Sequence, residues 1–125
     1  MKTTINFSAL AGSLLLALVV GCSKSSSQPR ALEPAKVPTV VNQAFQTAPE
    51  DTKQQASSFV SAFQGQDTPK AFEQLKKLSQ QSNLSADQRA TVARAMQTTI
   101  QQLQAAAQSG NQAAKATLHQ YLSTR

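Results

Sequence analysis

The sequence predicts an all-α fold: a small bundle of three to four short antiparallel helices that follows a disordered tether. After residue 47, apolar residues recur at spacings of three and four, which is the period of an amphipathic helix. Turn residues interrupt this pattern with connections of only a few residues, as expected for antiparallel neighbours. No stretch after Phe45 alternates strictly between apolar and polar residues, so a β-sheet is not expected.

The chain begins with a positive charge at Lys2 and an apolar block over residues 9–20, which ends in Gly21-Cys22. This order of charge, short apolar core and small residue is typical of a secretory signal peptide. The block is too short for a membrane-spanning helix, which needs roughly 20 apolar residues. Residues 1–21 are therefore predicted to be a cleaved signal peptide.

The segment Val19-Val20-Gly21-Cys22 resembles the lipobox of bacterial lipoproteins. The resemblance implies that the sulfur of Cys22 receives a diacylglyceryl group, that signal peptidase II cuts between Gly21 and Cys22, and that the new amine is acylated, for example with palmitate. Two or more acyl chains anchor a protein stably to a membrane. Ser23 stands where an Asp would favour retention in the inner membrane, so the outer membrane is favoured in a Gram-negative cell. The alternative is a secreted protein whose single cysteine has no internal disulfide partner.

Composition limits the remaining chain to one small domain. The formal net charge is +6 at pH 7, but the basic residues are dispersed and are not interleaved with aromatic ones. A nucleic-acid partner is not expected, because such proteins usually present a basic patch or stripe.

Residues 22–46 are predicted to be a lipid-anchored flexible linker, because Ser, Pro and basic residues dominate residues 23–38. The last part of this linker carries an apolar group at helical spacing: Val40, Val41, Ala44 and Phe45. This spacing favours a short helix near residues 39–46, and a short valine-rich strand is the alternative.

Residues 47–125 are predicted to form the helical domain. Start and stop signals place its helices at about 48–64, 68–80, 86–108 and 112–123. Thr47 to Glu50 and Ser85 to Gln88 match the capping box, in which two side chains satisfy backbone N–H groups at the first turn.

The other helix ends carry simpler signals. Asp67 or Thr68 is expected to cap the second helix, and Gly110 to end the third in the left-handed conformation. The residues expected to face the core are Ala56, Phe59, Val60, Phe63, Ala71, Phe72, Leu75, Leu78, Val92, Met96, Ile100, Leu103, Ala107, Ala114, Leu118, Tyr121 and Leu122.

Gly65-Gln66-Asp67, followed by Ala71, Leu75 and Leu78, resembles the turn and second helix of a tetratricopeptide-type hairpin. Only one such unit is visible, and these repeats need about three copies to stack stably. The resemblance therefore implies a helical hairpin of related shape and not a repeat array.

No cluster of residues predicts catalysis, a metal site or a cofactor. The single histidine, His119, is expected on the solvent flank of the last helix, and the single cysteine is assigned to lipid. The candidate acid–base residues mostly lie near helix starts, where capping explains them: Glu50, Asp51, Asp67, Glu73 and Asp87. We therefore expect no enzyme.

The leading functional expectation is a structural or protein-interaction module that binds another, unidentified envelope protein. The alternative is a carrier of a small apolar ligand, which would lie in the helical core among Phe59, Phe63, Phe72 and Met96.

Overall fold

The computed structural model describes residues 28–124. The predicted signal peptide, Cys22 and the first part of the predicted linker lie outside the described residues. The elements in chain order are a 3-10 turn (Pro34–Lys36), α1 (Val37–Ala44), α2 (Glu50–Gln64), α3 (Thr68–Ser79), α4 (Ala86–Gln108) and α5 (Gln112–Ser123). Residues 28–124 contain no strand, so the all-α prediction is confirmed, with five α-helices where three to four were expected.

From α1 to α5, each helix packs against the next one in the chain. In addition, α1 contacts α4, and α3 makes a smaller contact with α5. The long helix α4 thus touches α1, α3 and α5. The larger core cluster joins residues from Leu32 to Ala95, and a smaller one joins Phe72 to the end of α4 and the start of α5.

All eight predicted core residues in α2 and α3 are buried. The prediction is weaker for α5, where Ala114 is the one buried residue and Leu122 is 59% exposed. Leu118 and Tyr121 are half-buried. The last helix is therefore held less completely than its apolar pattern suggests, because only one side of it meets the rest of the bundle.

The described part of the predicted linker contributes buried residues to the helical unit. Leu32, Val37, Val41 and Phe45 are all buried in the larger core cluster. The predicted domain boundary at residue 47 is therefore wrong, since the packed unit already includes Leu32. Pro34 and Pro38 stand in the first turns of the 3-10 turn and of α1, where a missing backbone N–H leaves no helical hydrogen bond unmade.

Side chains of α4 bind the backbone of this N-terminal segment. The Nε atom of Arg94 donates to the carbonyl oxygen of Arg30 at 3.2 Å. The buried Oγ1 atom of Thr98 donates to the carbonyl oxygen of Leu32 at 2.7 Å. We call residues 30–32 and their two α4 partners the strap.

The start of α4 is fixed by the predicted capping box. The Ser85 N–H donates to Oε1 of Gln88 at 2.9 Å, and the Gln88 N–H donates to Oγ of Ser85 at 3.1 Å. Nε2 of Gln88 also donates to the carbonyl oxygen of Ala44 at 3.1 Å, which satisfies a group at the end of α1. One buried glutamine therefore fixes the register of α4 against α1.

The capping box predicted at Thr47 does not form. Helix α2 begins at Glu50, and its N-cap is Pro49, which supplies no side-chain hydrogen bond. Thr47 lies in a turn in which the Ala48 N–H donates to the carbonyl oxygen of Phe45 at 3.1 Å. The preceding helix α1 therefore sets the backbone here, which an isolated cap motif does not reveal.

The α2–α3 and α4–α5 connections share one design. Each has a residue in the left-handed region, Gln66 with φ of 58° and Gly110 with φ of 101°. The next residues, Asp67 and Asn111, cap the following helix by accepting the N–H three positions on, at 3.3 and 3.0 Å. The predicted caps at Asp67 and Gly110 are thus confirmed.

Candidate binding groove

An open groove of about 540 Å³ lies between α3, the first half of α4 and the end of α5. Its apolar lining consists of Phe72, Leu84, Val92, Ala93, Met96 and Tyr121. Its polar lining consists of Lys76, Ser79, Gln80, Arg89 and Thr124. We call this site the α3–α5 groove.

Helical periodicity places these side chains on common faces. The α4 residues that line the groove, Arg89, Val92, Ala93 and Met96, are separated by three or four positions or are adjacent, so they share one face. The capping box at the start of α4 fixes where this face begins. On α3, Lys76 lies one turn beyond Phe72 on the same face.

An aromatic contact holds the end of α5 against α3. The rings of Phe72 and Tyr121 meet edge to face, with centroids 5.3 Å apart and planes at 74°. Such pairs contribute roughly 0.5–1.5 kcal/mol beyond the apolar area that they bury. The contact closes one side of the groove and leaves Tyr121 half-buried in its lining.

The charge in the α3–α5 groove is positive. Its lining includes the side chains of Lys76 and Arg89 and no carboxylate. Arg89 is oriented by its Nη1 atom, which donates to the carbonyl oxygen of Leu84 at 2.7 Å. Lys76 forms no salt bridge with any residue in the described part of the chain. The groove therefore combines an apolar floor with two cations that are not neutralised by an acidic neighbour in the lining.

The structure divides the four residues that the sequence singled out for a ligand. Phe59 and Phe63 pack ring against ring in the larger core cluster, with centroids 5.6 Å apart. Phe72 and Met96 instead line the α3–α5 groove. Phe72 belongs to the smaller core cluster, whereas Phe59 and Phe63 belong to the larger one, and Met96 packs against both. A ligand site shared by all four residues stays a prediction.

Lys76, Leu84 and Arg89 are lining residues that were not singled out in the sequence. Tyr121 was expected to face the core and not to line a groove. The signal available in the sequence was the shared helical face of Arg89 and Met96. The positions of Leu84 and Tyr121 depend on how the turn before α4 and the end of α5 pack, which no local pattern records.

The candidate acidic residues do not converge. Glu50 lies 3.6 Å from the Nζ atom of Lys53, and Asp67 serves as the cap of α3. His119 is exposed on α5. Within residues 28–124, no group of three or more His, Cys, Asp or Glu residues is placed to hold a metal ion.

One acidic group has a perturbed pKa. Nζ of Lys36 lies 2.7 Å from Oε2 of Glu33. The hydrogen bond from Lys36, and secondly its positive charge, lower the pKa of the Glu33 carboxyl below its ordinary value. Both side chains are largely exposed, so this ion pair belongs to the surface of the 3-10 turn and not to the groove.

The predicted lipid-attachment residue Cys22 and the predicted cleavage between Gly21 and Cys22 lie outside the described residues. Among the helices of residues 28–124, none has the length and apolar character required to cross a membrane. Comparisons with protein-family models, curated proteins and solved structures found no match to this chain.

Proposed function

We propose that this protein is a small lipoprotein of the bacterial cell envelope, anchored through lipid on Cys22. Its helical unit acts as a structural or protein-interaction module and not as an enzyme. The resemblance of Val19 to Cys22 to a lipobox supports the anchor, and Ser23 favours the outer membrane. The bound partner in this proposal is another envelope protein.

The observation that carries the proposal is the strap. Because Arg30 and Leu32 are bound to α4, the folded unit begins eight residues after Cys22. A chain of that length spans at most about 29 Å when fully extended. The unit would therefore work close to the membrane surface, where its partner must also lie.

The anchor is tested by metabolic labelling with a fatty acid in cells that produce the wild-type protein, Cys22→Ala or Ser23→Ala. We expect Cys22→Ala to lose both the label and membrane fractionation. Ser23→Ala is the matched control, since it alters the neighbouring residue and keeps the acceptor sulfur. An unchanged membrane fraction for Cys22→Ala would contradict the lipoprotein assignment.

The interaction role is tested by cross-linking in whole cells, followed by recovery of the protein from detergent-solubilised envelopes. We expect a stoichiometric partner with the wild-type chain. A flexible insert of about ten residues between Cys22 and Gln28 roughly doubles the reach of the tether, and it should reduce the yield of the cross-linked product. Recovery of a solitary monomer from every sample would count against the proposal.

A second candidate function, carriage of a small apolar ligand, is favoured by the α3–α5 groove. Its volume of about 540 Å³ falls within the roughly 300–1,000 Å³ of typical ligand sites. Phe72 and Met96, two residues proposed from the sequence, contribute to its floor. Native mass spectrometry of gently purified protein should show a retained ligand mass, and a uniformly bare protein would argue against this function.

A further inference from the structure

The two cations of the α3–α5 groove lie toward the same end of it. Along α3, Lys76 is one turn beyond Phe72, and along α4, Arg89 precedes Met96 by seven positions. At about 1.5 Å per residue, these separations are roughly 6 and 10 Å along the two helix axes. Both displacements point toward the connection between α3 and α4. The groove therefore has a cationic end and an apolar end.

We propose that the α3–α5 groove binds a free single-chain anionic amphiphile of the fatty carboxylate class. The head group pairs with Lys76 and Arg89, and the alkyl chain lies along Phe72, Val92 and Met96. This assignment rests on the second candidate function and adds to it the charge of the ligand and the direction in which it binds.

Charge and chemistry favour this occupant. The lining offers two cations and no carboxylate, and a guanidinium can bind a carboxylate through two parallel hydrogen bonds. The Arg89 guanidinium uses one Nη atom to hold the Leu84 carbonyl, which orients the group and leaves further donors for a ligand. The floor suits an alkyl chain, since Ala93, Met96 and Tyr121 are only half-buried and line the groove with accessible apolar surface.

The surroundings of the groove disfavour a helix of another protein. A docked helix is roughly 10–12 Å wide with its side chains, and such interfaces need a central cluster of large anchors. Leu122 is the one large hydrophobic residue that is strongly exposed in residues 28–124. The groove therefore lacks the protruding anchors that a docked helix would need, whereas a narrow chain can reach its half-buried lining.

The chain carries its own reporter for this site. Tyr121 is the only tyrosine and the chain has no tryptophan, so the tyrosine emission of the full-length protein arises from the groove lining. A bromine atom quenches tyrosine emission when it comes into close contact. The probe is therefore ω-bromoundecanoate, used below its critical micelle concentration, with the corresponding neutral alcohol and cationic amine as head-group controls.

We expect saturable quenching by the carboxylate, weaker quenching by the alcohol and the least by the amine. Lys76→Gln and Arg89→Gln should each weaken carboxylate binding about two- to fivefold, as expected for exposed ion pairs. Lys77→Gln is the matched control, because it removes the same charge from the adjacent position of α3, which does not line the groove. Added salt should weaken the binding of the carboxylate and leave the binding of the alcohol unaffected.

The possible results separate this inference from the functions on which it rests. Equal quenching by all three head groups would overturn the anionic ligand and keep a carrier of apolar ligands. No quenching by any free amphiphile would overturn both. Quenching only by anionic vesicles that carry brominated lipid would reassign the groove to the membrane surface, and a response only to an acidic amphipathic peptide would reassign it to a protein partner. Loss of binding in Lys77→Gln equal to that in Lys76→Gln would show an effect of net charge and would also overturn the assignment.

Discussion

Replacement of Thr98 by valine tests whether the strap holds the N-terminal segment to the bundle. Thr98 is 1% exposed, and its hydroxyl donates to the carbonyl oxygen of Leu32 at 2.7 Å. Valine keeps the shape of threonine and removes the donor. The Leu32 carbonyl then stays buried without this partner, which costs about 1–3 kcal/mol of unfolding free energy.

Thr99→Val provides the matched control on the same helix. The Thr99 hydroxyl is also fully buried, but it donates to the carbonyl oxygen of Ala95 at 2.8 Å, one turn back in α4. That carbonyl also accepts a helical N–H, so the loss of the hydroxyl leaves it satisfied. We expect Thr99→Val to change the unfolding free energy by about 0.5 kcal/mol or less, since valine and threonine have similar helix propensities.

Urea unfolding of the two variants and the wild type, analysed by linear extrapolation, gives the required free energies. Amide hydrogen exchange should show faster exchange near Leu32 in Thr98→Val and no change there in Thr99→Val. Equal unfolding free energies for the two variants, with unchanged exchange near Leu32, would refute the view that the Thr98 hydroxyl fastens this segment.

Three further predictions concern other parts of the unit. Gln66→Gly should raise the unfolding free energy by roughly 1 kcal/mol in urea titrations, because φ of 58° is unfavourable for a residue with a Cβ atom; a loss of stability would contradict this. Lys36→Gln should raise the pKa of Glu33 toward its ordinary value in an NMR titration, since the Lys36 ion pair lowers it. In the wild type, the stability that this pair contributes is present above the unfolded-state pKa of Glu33 and is lost as pH falls through the lower folded pKa. An identical Glu33 pKa in the wild type and in Lys36→Gln would be inconsistent with the pairing. Leu75→Ala should lower the unfolding free energy by about 2–5 kcal/mol because the side chain is fully buried, whereas Leu122→Ala should change it by less than about 0.5 kcal/mol because Leu122 is 59% exposed.

The helix ends that the sequence predicted correctly depend on contacts between residues only a few positions apart. The capping box from Ser85 to Gln88 uses side chains only three positions apart, and Gly110 takes the left-handed conformation that its place after α4 suggested. The prediction at Thr47 failed, although the same residue types are present, because the turn after α1 already directs that backbone. Local chemistry therefore determines a helix end only where no neighbouring element competes for it.

The strap could not be predicted in this way. Its hydrogen bonds join α4 to residues more than 60 positions earlier in the chain, and no periodic pattern connects such distant groups. The prolines added to the difficulty, since Pro34 and Pro38 are equally typical of a disordered tether and of a first helical turn. The apolar residues Leu32 and Val37 were the available signal, and both are buried.

The α3–α5 groove was predicted only in part for a similar reason. Helical spacing placed Met96 and Phe72 on apolar stripes, but a stripe does not show whether its neighbours cover it completely. Helix α5 buries one residue and leaves Leu122 exposed, so it covers the α3–α4 surface incompletely. The groove is a consequence of that partial coverage, which depends on three helices at once.

The strap and the groove occupy opposite faces of α4. With 3.6 residues per turn, the average direction of Arg89, Met96 and the groove residues between them lies nearly opposite to that of Arg94 and Thr98. The chain that leads back toward Cys22 therefore leaves the bundle on the side of α4 away from the groove. In the proposed lipoprotein, the point where the chain is fastened to the bundle is thus separated from the groove by the width of α4. The proposed anchor and the proposed ligand are therefore geometrically compatible, because the strap and the groove lie on different faces of α4.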